Sequence, residues 1–309
     1  MGRVSWLLLW LLAPAPEPAD EPEDERAAYG PRARAELTLV GNLGYWAVTT
    51  VHSKRGGAAA NYTHYFTPIV DDGTSRWLQP FLQRASYASI GGRAGGFSTS
   101  ASWAEGTHAG FDVGAGVAGA SYLGRRLKVF GAAAVSNDTE LPAPPTPGAS
   151  ARSIGFVSAN LAVGAAARLA TLELGLAGRW VPSWPEGRAA RLDWYTVAID
   201  ARWVVRSAFD LFLEVEKLPT GAALTGRLGY YFSRDYGVVG TAFGGHGRYF
   251  TGDPRDYSRI GGALAYLQWL TRTLAWTVAY DLTTTTGGNL GGTVLAEHSG
   301  IVTLRWRLD

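Results

Sequence analysis

The feature that most constrains this chain is an alternation of apolar and polar side chains with a period of two residues. It runs from residue 35 onward in segments of roughly ten to fifteen residues, each bounded by Gly, Asp, Asn, Pro or Arg. Late in the chain, for example, Trp276 and Tyr280 share one face, whereas Thr277 and Asp281 share the other. Because successive side chains of a strand point to opposite sides, the pattern predicts strands with one oily and one polar face.

Composition excludes several other classes of protein. Hydrophobic residues make up 47% and charged residues 17%, yet no apolar run reaches the ~20 residues that a membrane-spanning helix needs. The net charge of +2 is too small for nucleic-acid binding to dominate, and the basic residues are scattered. The chain contains no Cys, which excludes disulfides and thiolate metal sites.

The N-terminus has the features of an export signal followed by a flexible leader. Arg3 precedes the apolar stretch 4–12, and residues 13–15, Ala-Pro-Ala, offer small side chains for cleavage. The acidic, proline-rich run PEPADEPEDER that follows can neither pack nor continue a helix. We therefore predict a signal peptide over residues 1–15, a flexible acidic leader over 16–34 and one barrel domain over 35–309.

A soluble sandwich would show the same alternation, so the aromatic residues and the polar faces decide between the two folds. Tyr195 and Trp203 lie eight residues apart on one apolar face, which places them about 20 Å apart along a tilted strand. That distance approximates the spacing of two aromatic girdles at the membrane interfaces. We predict that the lipid-facing girdle includes Trp180, Tyr195, Trp203, Trp276, Tyr280 and Trp306.

Short turns alternate with longer connections, and this alternation gives the number of strands. Counting back from a last strand that ends in the periplasm, we predict an all-β, closed antiparallel up-and-down transmembrane barrel of about fourteen strands, with twelve or sixteen also open. Residues 60–70 are also strand-like, and they fit this even number only if another segment splits or merges. The predicted strands are 35–51, 77–91, 95–104, 107–121, 125–137, 152–168, 170–182, 190–205, 209–217, 223–233, 237–249, 258–270, 273–285 and 293–308.

With these features the sequence resembles the bacterial outer-membrane β-barrel proteins, porins among them. The shared features are the export signal, the alternating segments, the aromatic girdles and the terminal strand IVTLRWRLD, and the resemblance spans residues 35–309. It implies integral insertion in the outer membrane of a Gram-negative bacterium, with membrane lipid and the assembly machinery as partners. Such proteins often end in Phe or Trp, whereas this chain ends in Asp309.

Two motifs that could hold a ligand are weak. The run GAGVAG, residues 114–119, matches G-x-G-x-x-G, but its surroundings continue as a strand and open no helix. The acidic pairs Asp71–Asp72 and Asp253–Asp256 supply too few oxygen ligands for calcium. We therefore expect no cofactor and no metal.

The five histidines give no convincing catalytic pair. His298 and Ser299 are adjacent on a strand and therefore point to opposite faces, which prevents the hydrogen bond that activates a serine. His246 is expected to face the lumen with Arg248. We therefore predict that the protein is not an enzyme, although an outer-membrane hydrolase stays open as the least favoured alternative.

A mixed set of charged residues is predicted to face inward, and it is the candidate functional site. These side chains either line an aqueous path with a transverse field or pair across a closed lumen. The first outcome predicts a porin-like channel for small polar solutes, and the second a structural or surface-interaction barrel with a plugged lumen; the oligomeric state stays open. The predicted lumen residues are Glu173, Arg179, Asp200, Arg202, Glu214, Glu216, Arg227, Asp281, Arg305 and Arg307.

Overall fold

The computed structural model is a closed antiparallel β-barrel of fourteen strands, with one extra short strand outside the ring. It describes residues 32–48, 51–101, 107–124, 126–141, 154–185, 193–206, 208–248, 256–287 and 294–308. The predicted signal peptide and nearly all of the predicted leader lie outside these ranges, and β1 begins at Arg32. No helix within the described ranges is long and apolar enough to cross a membrane.

Each strand of the ring pairs with its neighbours in sequence, and the last strand closes the barrel on the first, with Leu304 opposite Leu39. The extra strand β8 continues along β6 beyond the end of β7. The strands are β1 (Arg32–Val48), β2 (Val51–Val70), β3 (Tyr87–Ala101), β4 (Thr107–Leu123), β5 (Leu127–Leu141), β6 (Ile154–Leu169), β7 (Leu172–Trp180), β8 (Ser183–Pro185), β9 (Tyr195–Val205), β10 (Phe209–Lys217), β11 (Ala222–Tyr230), β12 (Tyr236–Gly247), β13 (Tyr257–Trp269), β14 (Leu274–Gly287) and β15 (Leu295–Leu308).

The alternation of the sequence sets which side of the wall each residue faces. Ile199 and Leu264 are about two-thirds exposed on the exterior, whereas Thr283 and Asp210 are almost fully buried on the interior. In a membrane protein this pattern places the oily face against acyl chains and the polar face against the lumen. The predicted fold class is thereby confirmed.

The two ends of the barrel differ in their connections. The end at which β1 starts and β15 stops has short connections of two to five residues, between β4 and β5, β6 and β7, β9 and β10, β11 and β12, and β13 and β14. Outer-membrane barrels keep their short turns on the periplasmic side, so we call this the periplasmic end. The opposite end is called the outer end.

The sequence-based strand boundaries are wrong in one region, although the total of fourteen is right. Of the predicted strand 77–91 only residues 87–91 are strand, and they form one strand, β3, with residues 95–101 of the next prediction; residues 77–86 are not strand. The strand-like residues 60–70 belong to β2, which the prediction left out. The two errors compensate. β2 was missed because its centre, residues 56–60, is Gly and Ala, whose small side chains give no apolar alternation.

Residues 71–86, between β2 and β3, fold into the barrel at its periplasmic end, and we call this segment the plug. It contains the one-turn helix α1 (Gln79–Leu82). Leu78, Gln79 and Phe81 of the plug are at most 1% exposed. The interior of the barrel is therefore filled by the chain itself at this end.

A charged lumen and its plug as the candidate functional site

The structure places all ten predicted lumen residues on the interior face of the wall. They lie on β7, β9, β10, β11, β14 and β15. Ion pairs between neighbouring strands form on this inner face of the wall. Sequence reasoning missed further charged interior residues, which alternate with the same period and could have been found by it: Glu36, Arg55, Arg93, Asp112, Lys128, Asp138, Arg168 and Asp210.

The Asp210 triad consists of Asp210, Arg202 and Arg227 on three adjacent strands. Arg202 donates to both carboxylate oxygens of Asp210, at 2.8 and 3.0 Å, and Arg227 donates to Oδ2 at 2.8 Å. The Asp210 side chain is only 2% exposed. One carboxylate is thus shared by two buried guanidiniums.

The Glu36 triad repeats this arrangement where the barrel closes. Glu36 of β1 lies opposite Arg307 of β15, accepts a hydrogen bond from Arg307 Nε at 3.0 Å and lies 3.6 Å from Arg305 Nη1. All three side chains are at most 6% exposed. Again, two guanidiniums share one carboxylate.

The Glu173 triad likewise consists of one carboxylate, Glu173, and two basic residues, Lys128 and Arg168. Glu173 accepts hydrogen bonds from Lys128 Nζ at 2.7 Å and from the Tyr122 hydroxyl at 2.9 Å, and it lies opposite Arg168 in the register of β6 and β7. The three triads together form a belt at the level of the plug, with twice as many basic groups as carboxylates.

Other charges lie higher in the lumen. Arg179 donates to Glu216 at 3.0 Å, and Arg93 lies 3.2 Å from Asp112. The side chain of Arg179 is 37% exposed and that of Asp112 28%, so solvent reaches the interior above the plug.

Three of the predicted lumen carboxylates contact no cation within the described part of the chain. Asp200 and Glu214 lie opposite each other on β9 and β10, and Asp281 accepts a hydrogen bond from Thr283 at 3.3 Å. Gly175, beside Asp200, leaves room for that carboxylate, since a Cβ there would lie 2.4 Å from Asp200 Oδ1. These three carboxylates face the lumen and form no ion pair across it with a described residue.

The wall formed by β3 to β6 has small side chains on its inner face. These small residues make room for larger interior side chains of the same wall: a Cβ on Gly164 would collide with the Phe130 ring, and one on Gly95 with Asp112 Oδ1. The motif GAGVAG lies here inside β4 as continuous strand, and a Cβ on Gly116 would lie 2.9 Å from the Ala133 carbonyl oxygen. The inner small residues of these strands are Gly91, Gly95, Gly114, Gly116, Ala118, Ala132, Ala134, Ala162 and Gly164.

The plug crosses the lumen from one wall to the opposite one. It leaves β2 and returns to β3, and β3 lies seven strands from β11 in the ring of fourteen. At the far side the Arg76 N–H donates to the Arg234 carbonyl at 3.1 Å, and the Arg76 guanidinium donates to Asp235 at 2.5 Å. Asp71 forms an ion pair with Arg234. The segment is thus anchored at the β11–β12 turn.

The belt of triads holds the plug from the side. Arg307 donates to Gln79 Oε1 at 2.8 Å and to the Arg76 carbonyl at 2.7 Å. The Phe81 ring lies between Arg168 and Arg202, whose guanidinium carbons are 4.2 and 4.1 Å from its centroid, and Arg168 also donates to the Phe81 carbonyl at 2.7 Å. Cation–π contacts of this kind are worth more when the cation is desolvated.

The plug has its own carboxylate with a shifted pKa. Burial disfavours the charge on Asp71, but the hydrogen bond from Gln79 and the guanidiniums of Arg234 and Arg76 outweigh it. The pKa of Asp71 is therefore held below its usual value. Asp253 of the other predicted acidic pair lies outside the described residues, and within them no three His, Asp or Glu side chains are grouped as metal ligands.

All six predicted girdle residues lie on the exterior face. Trp180 and Tyr195 stack at the outer end with ring centroids 6.4 Å apart. Trp203, Trp276 and Trp306 lie near the periplasmic ends of their strands. Tyr280 lies near the middle of β14, and its hydroxyl is 2.5 Å from His298 Nδ1.

The expectation that His246 faces the lumen is wrong. His246 is exposed on the exterior face of β12, opposite Ser258 of β13, and its Nδ1 lies 2.8 Å from Ser258 Oγ. A serine nucleophile also needs a group that orients the histidine. The described part of the chain provides none at the other ring nitrogen of His246.

Comparison with solved structures places the fold in a class. The chain is similar to the TodX deltaS2S3 mutant monoaromatic hydrocarbon channel, with a TM-score of 0.54, 9% identity and coverage of 90% of this chain and 91% of that one. It is also similar to the translocator domain of autotransporter NalP from Neisseria meningitidis, with a TM-score of 0.49, 13% identity and coverage of 93% and 92%. The outer membrane protein Omp33 from Acinetobacter baumannii gives 0.49, 14% identity and coverage of 90% and 99%.

No protein-family model matches the sequence, and no curated protein matches it. The likeness to the solved structures is therefore a likeness of fold. The chain has the fold of the bacterial outer-membrane β-barrel proteins.

Proposed function

We propose that the protein is an outer-membrane channel of a Gram-negative bacterium that passes small polar solutes and is closed at its periplasmic end by the plug. Residues 1–15 direct its export, and the outer-membrane assembly machinery inserts it. No chemistry is required of it. Selection is by pore width and by the charges of the lumen wall.

The observation that carries this proposal is the solvent-exposed charge above the plug. Arg179 and Asp112 keep about a third of their side-chain surface accessible inside a wall whose other face is apolar. Barrels of eight strands are filled by their own side chains, and those of sixteen to eighteen leave channels. This barrel of fourteen falls between these sizes, and we infer from the exposed charges that its lumen is open above the plug.

The plug is suited to leave its place without unfolding the barrel. It has a single helical turn and joins β2 to β3 at the end where the strands stop. Its anchors are hydrogen bonds, ion pairs, the rings of Trp77 and Phe81 and the apolar packing of Leu78, whereas the barrel is closed by the complete ladder between β1 and β15. Displacement therefore breaks these contacts, including the backbone hydrogen bond from Arg76 to Arg234, and leaves the ladders between strands intact.

The test is single-channel recording from the purified protein in planar bilayers. Wild type is expected to show infrequent stepwise openings, and Phe81→Ala more frequent ones, because Arg168 and Arg202 lose the ring between them. Phe66→Ala is the matched control, since Phe66 is 64% exposed on the exterior. Bilayers that stay sealed with both wild type and Phe81→Ala would refute the channel.

The plug also favours a second candidate, a structural or surface-interaction barrel with a permanently closed lumen. In that case the plug contacts serve stability alone. The same recordings separate the two, because a permanently closed barrel conducts in neither protein.

The His246–Ser258 contact favours a third candidate, a hydrolase acting on ester bonds of membrane lipids. Ser258 is exposed, and Ile260, two residues along the same face, is 67% exposed and apolar. The discriminating measurement is labelling of Ser258 by a fluorophosphonate, with Ser258→Ala as control. Absence of labelling would remove this candidate.

A further inference from the structure

The belt of triads carries more positive than negative charge. In each of the Asp210, Glu36 and Glu173 triads one carboxylate faces two basic groups, so the formal charge of each triad is +1. Asp200 and Glu214, which lie opposite each other on β9 and β10, bring two carboxylates against the three positive charges of the belt, so the sum stays positive. The level of the lumen at which the plug sits is therefore basic.

The plug offers this belt no carboxylate in its described contacts. It presents neutral acceptors, namely Gln79 Oε1 and the carbonyls of Arg76 and Phe81, to Arg307 and Arg168. The remaining contacts are aromatic faces, Phe81 on the Asp210 triad and Trp77 on the Glu36 triad. The acids of the plug, Asp71 and Asp72, instead bind within the plug and at the β11–β12 turn.

Neutral acceptors are weaker partners for guanidinium than anions. A carboxylate or phosphate adds a full opposite charge to the hydrogen bond and lets the planar guanidinium fork bind two oxygens at once, which a single amide or carbonyl oxygen does not. A solute anion that reaches the belt therefore competes with Gln79 and Phe81 for Arg307 and Arg168.

We propose that the belt is an anion-binding site for a small carboxylate or phosphate solute, that the plug covers it in the closed state, and that binding of the anion displaces the plug. This rests on the proposed channel function and adds to it the class of solute and the means of opening. The plug acts as an internal competitor, since its carbonyl oxygens occupy the positions that the oxygens of the anion would take.

The absence of Cys from the chain allows a direct test of plug displacement. Ser75 lies in the plug, is 5% exposed, and its hydroxyl has no hydrogen-bond partner in the described part of the chain. Ser75→Cys is therefore a conservative probe that reacts with a water-soluble maleimide only when the plug moves. The rate of labelling is measured in liposomes over a range of inorganic phosphate concentrations, with sodium chloride keeping the ionic strength constant.

Phosphate is expected to accelerate labelling in a saturable way by about tenfold, which corresponds to about 1.4 kcal/mol. Arg227→Gln in the same background should weaken the acceleration, because it removes the excess charge of one of the three triads and leaves Arg202 paired with Asp210. Arg272→Gln is the matched control, since Arg272 is exposed in the turn between β13 and β14, and it should leave the response intact.

A second variant tests the competition without removing an arginine. Gln79→Ala takes away the acceptor on Arg307, so half-maximal labelling should be reached at a lower phosphate concentration than in wild type. An unchanged labelling rate with phosphate in both backgrounds, in a protein that still conducts, would overturn the anion site and leave the channel standing. Phosphate-dependent labelling in a protein that never conducts would refute the channel and leave the anion site.

Discussion

Arg307 of the last strand donates a hydrogen bond to Gln79 of the plug across 228 residues of sequence. The same guanidinium binds Glu36 of the first strand, so it contacts both strands of the barrel seam and the plug. Arg307 reaches this position only where β15 pairs with β1, so its contacts with the plug form only in the closed barrel. This residue thus links the seam of the barrel to the plug.

Arg307→Gln should unseat the plug while the barrel stays folded. The variant loses the charged hydrogen bonds to Gln79 and the Arg76 carbonyl, at about 1–3 kcal/mol for a group left buried without its partner. Recordings in planar bilayers should show a higher open probability than wild type, with the heat-dependent gel shift of a folded barrel retained. An open probability equal to that of wild type would mean that Arg307 does not hold the plug.

Asp210→Asn should lower the stability of the whole barrel. The change leaves the guanidiniums of Arg202 and Arg227 buried without their carboxylate, and removal of one partner of a buried ion pair costs about 3–5 kcal/mol. The temperature at which the folded band disappears on gels should fall. Asp200→Asn is the matched control, since Asp200 pairs with no described cation and should change that temperature little; equal shifts in the two variants would contradict the assignment.

Acidic pH should open the plug. The pKa of Asp71 is depressed in the folded plug, so its contribution is fully present above the ordinary carboxyl value of about 3.9 and is lost as pH falls through the folded value. Open probability should therefore rise as the pH is lowered below about 4. In Asp71→Asn the open probability should already be raised at neutral pH, and a wild-type acid response that persists unchanged in this variant would assign it to another group.

A positive charge should be tolerated on the interior face of β13 but not on its exterior face. Leu264→Arg places a charge on the exterior, where Leu264 is 65% exposed, at a cost of about 2–4 kcal/mol near the bilayer midplane. Ala263→Arg places the same charge inside, opposite Asp281 in the register. The refolding yield into liposomes should drop for Leu264→Arg and stay unchanged for Ala263→Arg. The reverse order would mean that Ala263 faces lipid and Leu264 faces the lumen.

Most of the barrel could be predicted from the sequence because its alternation is a local property of each strand. The strands β9, β14 and β15 carry large apolar side chains on one face and polar ones on the other, so their inner residues could be named in advance. The glycine-rich centre of β2 gave no such signal.

The plug could not be located in this way. Trp77, Leu78 and Phe81 made the segment resemble a strand, although Pro80 argued against a strand inside a sheet. Its partners Arg168 and Arg307 lie far away in sequence, and only the closed ring brings them to one level. A segment held by such long-range contacts has no periodicity of its own to detect.

The most direct test of the central claim is a single-cysteine scan of residues 278–283 in β14, each labelled with an environment-sensitive fluorophore in liposomes. We expect a period of two: Val278, Tyr280 and Leu282 bright and quenched by nitroxide lipids, and Ala279, Asp281 and Thr283 quenched by iodide from the lumen. The reversed assignment, or a pattern without a period of two, would contradict a wall with lipid outside and a charged lumen inside.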